Sequence, residues 1–266
     1  MLPILNIAAR TLRQASEFLQ QVIERQEFVQ EEPEMLAKKL LQIEKDIHRL
    51  FIQNIKKSFP EHYIAALGET DFSESDKETV WSLTPIHSGL NFAKGLPYTA
   101  ISATCFVKGK AEHAIIINPT TGDEYAASKG RGASLNGKRI RVSSTKTVDQ
   151  CLIATDALFN PNMVSSPHVR FDLYNSLSNN NFPLQQSNCP ILDIANVAAG
   201  RIDAAVQLQP DVLDLQAAIL ICQEAGGLLG DLSGGGIGSN SGQLVCANPK
   251  LFKSLLQKLY AFRDKV

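Results

Sequence analysis

The chain has 266 residues, with 26 Lys+Arg against 27 Asp+Glu, a formal net charge of −1, and 44% hydrophobic and 20% charged residues. That length allows one large or two ordinary domains, and the apolar fraction suffices for a sizeable core, which excludes global disorder. Near-zero net charge gives no signature of autonomous nucleic-acid binding or membrane-surface attachment, and no apolar run approaches the ~20 residues that span a bilayer. The N-terminus carries Arg10, Gln14, Glu17, Gln20 and Gln21 along a helical pattern and lacks the plan of a secretory signal. Cys105, Cys151, Cys189, Cys222 and Cys246 are odd in number, far apart and without a Cys-x-x-Cys pair. They read as reduced thiols, mostly buried, in a cytoplasmic protein.

In chain order, Leu5, Ala8, Leu12, Ala15, Leu19 and Val22 fall at three- and four-residue steps, one apolar stripe on a helix over 5–23. A second helix starts after Pro33, with Leu36, Leu40, Ile43, Ile47, Leu50 and Ile55 as its stripe. From residue 98 the period changes. Tyr98 to Val107 and Glu112 to Asn118 are β-rich runs joined by Lys108-Gly109-Lys110, a hairpin signal, and Glu124 to Ala127 predicts a third strand. Leu152 to Thr155 predicts a buried strand, Asp193 to Ala199 a short helix closed by Gly200, and Ile202 to Leu208 another strand. Asp214 to Ala225 predicts a helix that ends at Gly226-Gly227, and a last helix starts at Asn248-Pro249. Helices, an antiparallel sheet and then alternating strand and helix predict an α+β half over 1–145 and an α/β half over 146–266.

Several motifs fail. Gly130-Arg131-Gly132 and Gly236-Ile237-Gly238 begin a dinucleotide fingerprint but end at Leu135 and Ser241. Gly238-Ser239-Asn240-Ser241-Gly242 has the outer glycines of a nucleophile elbow with Asn where the serine must sit, and there is no Walker loop.

One segment carries more. Trp81-Ser-Leu-Thr-Pro-Ile-His-Ser-Gly-Leu-Asn91-Phe92, followed by Leu96-Pro97 and Ala100-Ile101-Ser102, resembles the inositol monophosphatase family, which writes it W-(V/I)-I-D-P-(L/I)-D-G-T-T-N-F. Gly68-Glu69, Gly130-x-Gly132-Ala133-x-x-Asn136-Gly137, the run from Leu192-Asp193 to Arg201-Ile202-Asp203, Leu213-Asp214 and Glu224-Ala225-Gly226-Gly227 match further motifs of the family, nearest to its bacterial SuhB-type group. The resemblance implies a layered αβαβα sandwich of the inositol monophosphatase and sugar phosphatase type, usually dimeric, that hydrolyses phosphate monoesters with Mg²⁺ held by converging carboxylates.

The catalytic positions depart from the family while the scaffold motifs hold. The second acid of Gly-Glu-Glu is Thr70, the two motif aspartates are Thr84 and His87, and the phosphate-cradling G-T-T reads Ser88-Gly89-Leu90, so Gly89 replaces the water-positioning threonine. The upstream Thr-x-x-Asp reads Leu41 to Glu44, the substrate-contacting acid falls at Gln207, and the inositol-pocket G-(S/T)-A reads Asn188-Cys189-Pro190. Ser88 and Gly89 are left as a weakened phosphate site, and Asn188, Cys189 and Gln207 as the altered substrate pocket. Glu69 and Asp214 remain as vestigial metal ligands. His87 admits three expectations: an imidazolium standing between those two carboxylates, a solvated side chain in an empty cleft, or a third ligand for Zn²⁺ or Mn²⁺.

These departures point to a pseudophosphatase, a degenerate relative with no intact catalytic residue and no expected cofactor, kept as a scaffold or regulatory homodimer. The SuhB-type group implies a transcription-related protein partner. The alternatives are an active or retargeted phosphatase acting through Mg²⁺ on inositol 1-phosphate, a sugar phosphate or a nucleotide, and a cleft that binds such a ligand without turnover.

Overall fold

The computed structural model describes residues 2–25, 28–69, 78–158, 165–178, 184–238 and 241–266; Thr70 and the Ser239-Asn240 pair lie outside them. The chain divides into two compact units, Met1–Gly137 and Lys138–Val266. Two sheets and seven α-helices make the described residues a mixed α/β fold.

The first unit contains α1 (Pro3–Glu24), α2 (Pro33–Ser58), β1 (Tyr63–Ile64), β2 (Thr79–His87), α3 (Gly89–Ala93), β3 (Ala100–Val107), β4 (Lys110–Ile117), β5 (Glu124–Ser128) and β6 (Ala133–Leu135). Both long helices begin with proline in the first turn, where the missing N–H is no loss. The α1 stripe is buried along its length, and with Ile43, Ile47, Phe51 and Ile55 of α2 it covers Trp81, Leu83, Ile101, Ala103, Ile115 and Ile117 of the sheet. Those sheet residues recur at every second position, the period of one strand face. Trp81, fully buried, meets Phe51 edge-on at 5.7 Å and donates its indole N–H to His62 Nδ1 at 3.1 Å. The strands run in the order β1-β2-β3-β4-β5-β6, parallel between β1 and β2 and antiparallel from β2 to β6.

β2 carries no clear strand signal in its sequence. Thr84 pairs with Ser102 and His87 with Ala100, so three steps on β2 oppose two on β3 and a bulge falls at Pro85-Ile86. A proline that cannot donate to the ladder is tolerated in an inner strand at such a bulge, which also re-aims the residue that follows it.

The second unit contains β7 (Lys138–Arg139), β8 (Ile153–Thr155), α4 (Pro167–Leu177), α5 (Pro190–Ala198), β9 (Ala204–Leu208), α6 (Gln216–Glu224), β10 (Leu228–Gly230), β11 (Gln243–Ala247) and α7 (Pro249–Leu259), with 3-10 turns at Val148–Gln150 and Tyr260–Phe262. Its sheet has the order β10-β11-β9-β8, with only β8 and β9 parallel. Ala204, Val206, Leu208, Val245 and Ala247 face a core shared with Leu173 and Leu177 of α4 and Leu251, Leu255 and Leu259 of α7. Alternation sends Gln207 to the other face, and α5 packs against β9, β11 and α6. Gly200, at φ 68°, closes α5 in the left-handed conformation expected of that position. All five cysteines are free and buried. Among the described residues no helix is long and apolar enough to cross a membrane.

Candidate functional site

In the first unit the altered motif occupies the corner where β2 passes into α3. Thr84 is half-buried in β2, and His87, its last residue, is 8% exposed. His87 Nε2 and Ser102 Oγ are hydrogen-bonded at 2.8 Å, and Thr99 Oγ1 donates to the His87 carbonyl at 2.7 Å. Desolvation alone pushes the His87 pKa down to about 3. Burial thus favours the neutral imidazole, and the ring is packed, not the solvated side chain that was one of the sequence expectations.

Ser88 follows at φ 60°, a left-handed conformation, and α3 starts at Gly89. A Cβ on Gly89 would stand 3.0 Å from Leu40 Cδ1, so the threonine of the family motif needs Leu40 of α2 to move. Leu90 is 66% exposed. The rest of the motif holds the turn: Asn91 Nδ2 donates to the Tyr98 carbonyl at 2.9 Å, Asn118 Nδ2 to the Pro97 carbonyl at 2.9 Å, and Phe92 is buried beside Phe28. Glu69, half-buried in the turn beyond β1, accepts from Tyr63 Oη at 3.0 Å and from the Ala66 amide at 2.7 Å through Oε2. That hydrogen bond raises the Tyr63 pKa. On α2, Leu41 is exposed and Glu44 half-buried.

In the second unit Asn188, at φ 54°, and buried Cys189 lead into α5. The Cys189 amide donates to Ser187 Oγ at 2.9 Å, and Ser187 Oγ donates to Asp193 Oδ1 at 2.8 Å. Gln207 Nε2 donates to Asp193 Oδ2 at 3.1 Å, while Gln207 Oε1, on a fully buried side chain, has no partner. Burial raises the Asp193 pKa to about 7, with Asp156 adding to the rise against the two hydrogen bonds. Asp156 Oδ1 accepts the Leu208 amide at 2.8 Å. Asp193 is a buried carboxyl held by neutral donors, a grouping made by the packing of α5 on β9. Asp203 accepts the Leu152 amide at 2.8 Å. Asp214 is exposed in the turn before α6, its amide 3.3 Å from Asp211 Oδ1.

A hard cation such as Mg²⁺ takes oxygen ligands, carboxylates above all. At the two aspartate positions of the family motif this chain offers a hydroxyl and a neutral imidazole whose Nε2 is already engaged. Among the described residues no group of three or more His, Cys, Asp or Glu is placed to hold a metal ion. The described residues do not fit the Mg²⁺ that the resemblance implies.

The profile of the inositol monophosphatase family matches residues 1–263. The Nus factor SuhB of Pseudomonas aeruginosa is 33% identical over 260 residues, covering 96% of this chain and 95% of that one. The Nus factor SuhB of Escherichia coli K12 is 29% identical over 259 residues, covering 97% and 96%. The crystal structure of extragenic suppressor protein suhB from Bartonella henselae superposes with a TM-score of 0.82 at 22% identity, covering 97% and 98% of the two chains. The Thermotoga maritima IMPase gives 0.80 at 21%, covering 98% of each. The structural likenesses establish the fold and the sequence matches the descent: the chain belongs to the inositol monophosphatase family.

Proposed function

We propose that this chain is a SuhB-like pseudophosphatase, in which Mg²⁺-dependent hydrolysis of phosphate monoesters is lost or greatly weakened and the fold serves as a scaffold or regulatory homodimer. The observation that carries the reading is His87, buried with its Nε2 on Ser102 Oγ at the position of a metal-bridging aspartate. Thr84, at the other such position, brings a hydroxyl without charge, and Gly89 has no side chain to position a water. Electrostatic stabilisation of the reacting phosphate is the largest contribution such sites make, and losing these groups together removes about four orders of magnitude in rate, ~5.5 kcal/mol. Vestigial Glu69 is consistent with this, being hydrogen-bonded to its own segment through Tyr63 and Ala66.

The partner we infer is a transcription-related protein, which the Nus factor names of the relatives support. The free, buried cysteines support a cytoplasmic setting. The test incubates the purified chain with inositol 1-phosphate and Mg²⁺, Mn²⁺ or Zn²⁺ and reads both released phosphate and melting temperature. The expected result is phosphate release about ten-thousandfold below an active family member, with no metal-dependent thermal shift. Turnover comparable to an active member contradicts the reading. Sedimentation analysis tests the homodimer.

A further inference from the structure

The second unit carries an open groove that shares no residue with the candidate site. One wall is α7 and the 3-10 turn after it; the other is β10 and the turn that follows. A volume of about 650 Å³ lies between them, lined by Leu228, Leu232, Phe252, Leu256 and Tyr260, with Lys253 on the rim. Leu228 is 44% and Tyr260 55% exposed, so apolar surface meets water along the groove. Both walls are braced. Asp231 Oδ1 accepts the Ser233 and Gly235 amides, each at 2.8 Å, and Asn248 Oδ1 caps α7 by accepting the Lys250 and Leu251 amides at 3.0 and 3.1 Å. Arg263 lies 3.9 Å over the Tyr260 ring.

The charge on the α7 wall is one-sided, while the opposite wall carries Asp231, whose Oδ1 is engaged by its own turn. Residues 249–266 hold five basic residues and one acid, in a chain whose totals are 26 and 27. Arg263 is paired with Asp264 at 3.0 Å. Lys250 and Lys253, three residues apart and both exposed, have no ion-pair partner among the described residues. An apolar floor beside uncompensated cations matches the apolar and acidic faces of an amphipathic helix.

We propose that this groove is the docking site for an acidic amphipathic helix of a partner protein. Its apolar side chains, at three- and four-residue steps, enter between Leu228, Leu256 and Tyr260, and its carboxylates meet Lys250 and Lys253. A second copy of this chain fits worse, because a two-fold contact would set the basic strip against itself. Nucleic acid would satisfy the lysines and leave the apolar floor uncovered. The inference goes beyond the loss of hydrolysis and holds whether or not that reading does.

The probe is a fluorescein-labelled peptide with Leu at i, i+3, i+4 and i+7 and Glu between, titrated with the full chain and followed by anisotropy. Saturable binding is expected, with the amides of Lys253, Leu256 and Tyr260 among the largest NMR shifts. Lys253→Glu and Leu228→Asp should each weaken it roughly tenfold or more without lowering the melting temperature. A scrambled peptide, or one with Lys in place of Glu, should bind at least about tenfold more weakly. Absence of saturable binding, equal binding of the scrambled peptide, or equal binding after Lys253→Glu overturns the proposal. So does displacement of the peptide by single-stranded RNA of the same length, or a change of oligomeric state on Leu228→Asp.

Discussion

Two turns, one in each unit, lead into a short helix through a residue in the left-handed conformation: Ser88 before α3 at φ 60°, and Asn188 before Cys189 and α5 at φ 54°. The family pattern has glycine at both places, where φ above zero costs nothing. This chain adopts the left-handed conformation there with serine and asparagine. The surroundings then diverge. Around the first turn His87 and Thr99 close their hydrogen bonds within the fold. Beneath the second, Gln207 Oε1 is buried without a partner, and Asp193 sits among neutral donors with its pKa raised to about 7. The first region closes its hydrogen bonds within the fold, while the second keeps a polar network that is not fully paired.

The largest effect that could break this comparison is at His87. His87→Asp places a carboxyl where desolvation alone already holds an imidazole neutral, and should cost about 3 kcal/mol near neutral pH. The new acid's folded pKa lies above its unfolded one, so the penalty grows as pH rises and shrinks toward acid. Urea unfolding at about pH 5 and 8 measures it. A variant as stable as the parent at both values would mean an open, hydrated corner.

Asp193→Asn tests the second region and should act in the opposite direction. The folded carboxyl, at about 7, binds its proton more tightly than the ordinary value of 3.8 allows in the unfolded chain. Stability contributed by Asp193 is therefore fully present below about pH 4 and declines as pH rises through 7. An asparagine cannot ionise, and its amide can donate to Gln207 Oε1 once the two amides flip. A gain of about 1–2 kcal/mol is expected near pH 8, disappearing near pH 4, against a small loss of favourable charge in the first turn of α5. An unchanged pH profile of stability would show that Asp193 titrates normally.

Ser88→Gly sharpens the comparison of the turns themselves. Releasing a serine from the left-handed region should stabilise the chain by about 1 kcal/mol. Asn188→Gly should give less than about 0.5 kcal/mol, because asparagine tolerates that region. Equal gains would remove the distinction. The smallest effect is at Leu90→Thr, within about 0.5 kcal/mol either way by thermal melting, since the side chain is 66% exposed.

What was legible in the sequence was what local chemistry decides. The stripe from Leu5 to Val22, prolines at the helix starts, the Lys108-Gly109-Lys110 hairpin and the Asn248 cap each rest on neighbours a few residues away. β2 was hidden because Thr84, Pro85 and His87 interrupt its alternation, and its register comes from β3 through a bulge. The substituted motif positions could be found from family spacing, but their state could not. Whether His87 is charged depends on its burial, and its partner Ser102 lies fifteen residues on, on another strand. The link from Gln207 to Asp193 exists only because β9 carries α5 across its face.

The proposed loss of hydrolysis rests on a β2–α3 corner that is closed core around His87 and holds no ion. Its most direct test is the NMR titration of the His87 ring, with and without millimolar Mg²⁺. The expected ring shifts stay flat down to about pH 4 and do not respond to the metal, in keeping with a pKa pushed down to about 3. A ring that titrates near its ordinary value of 6.5, or whose shifts move on adding Mg²⁺, would contradict it.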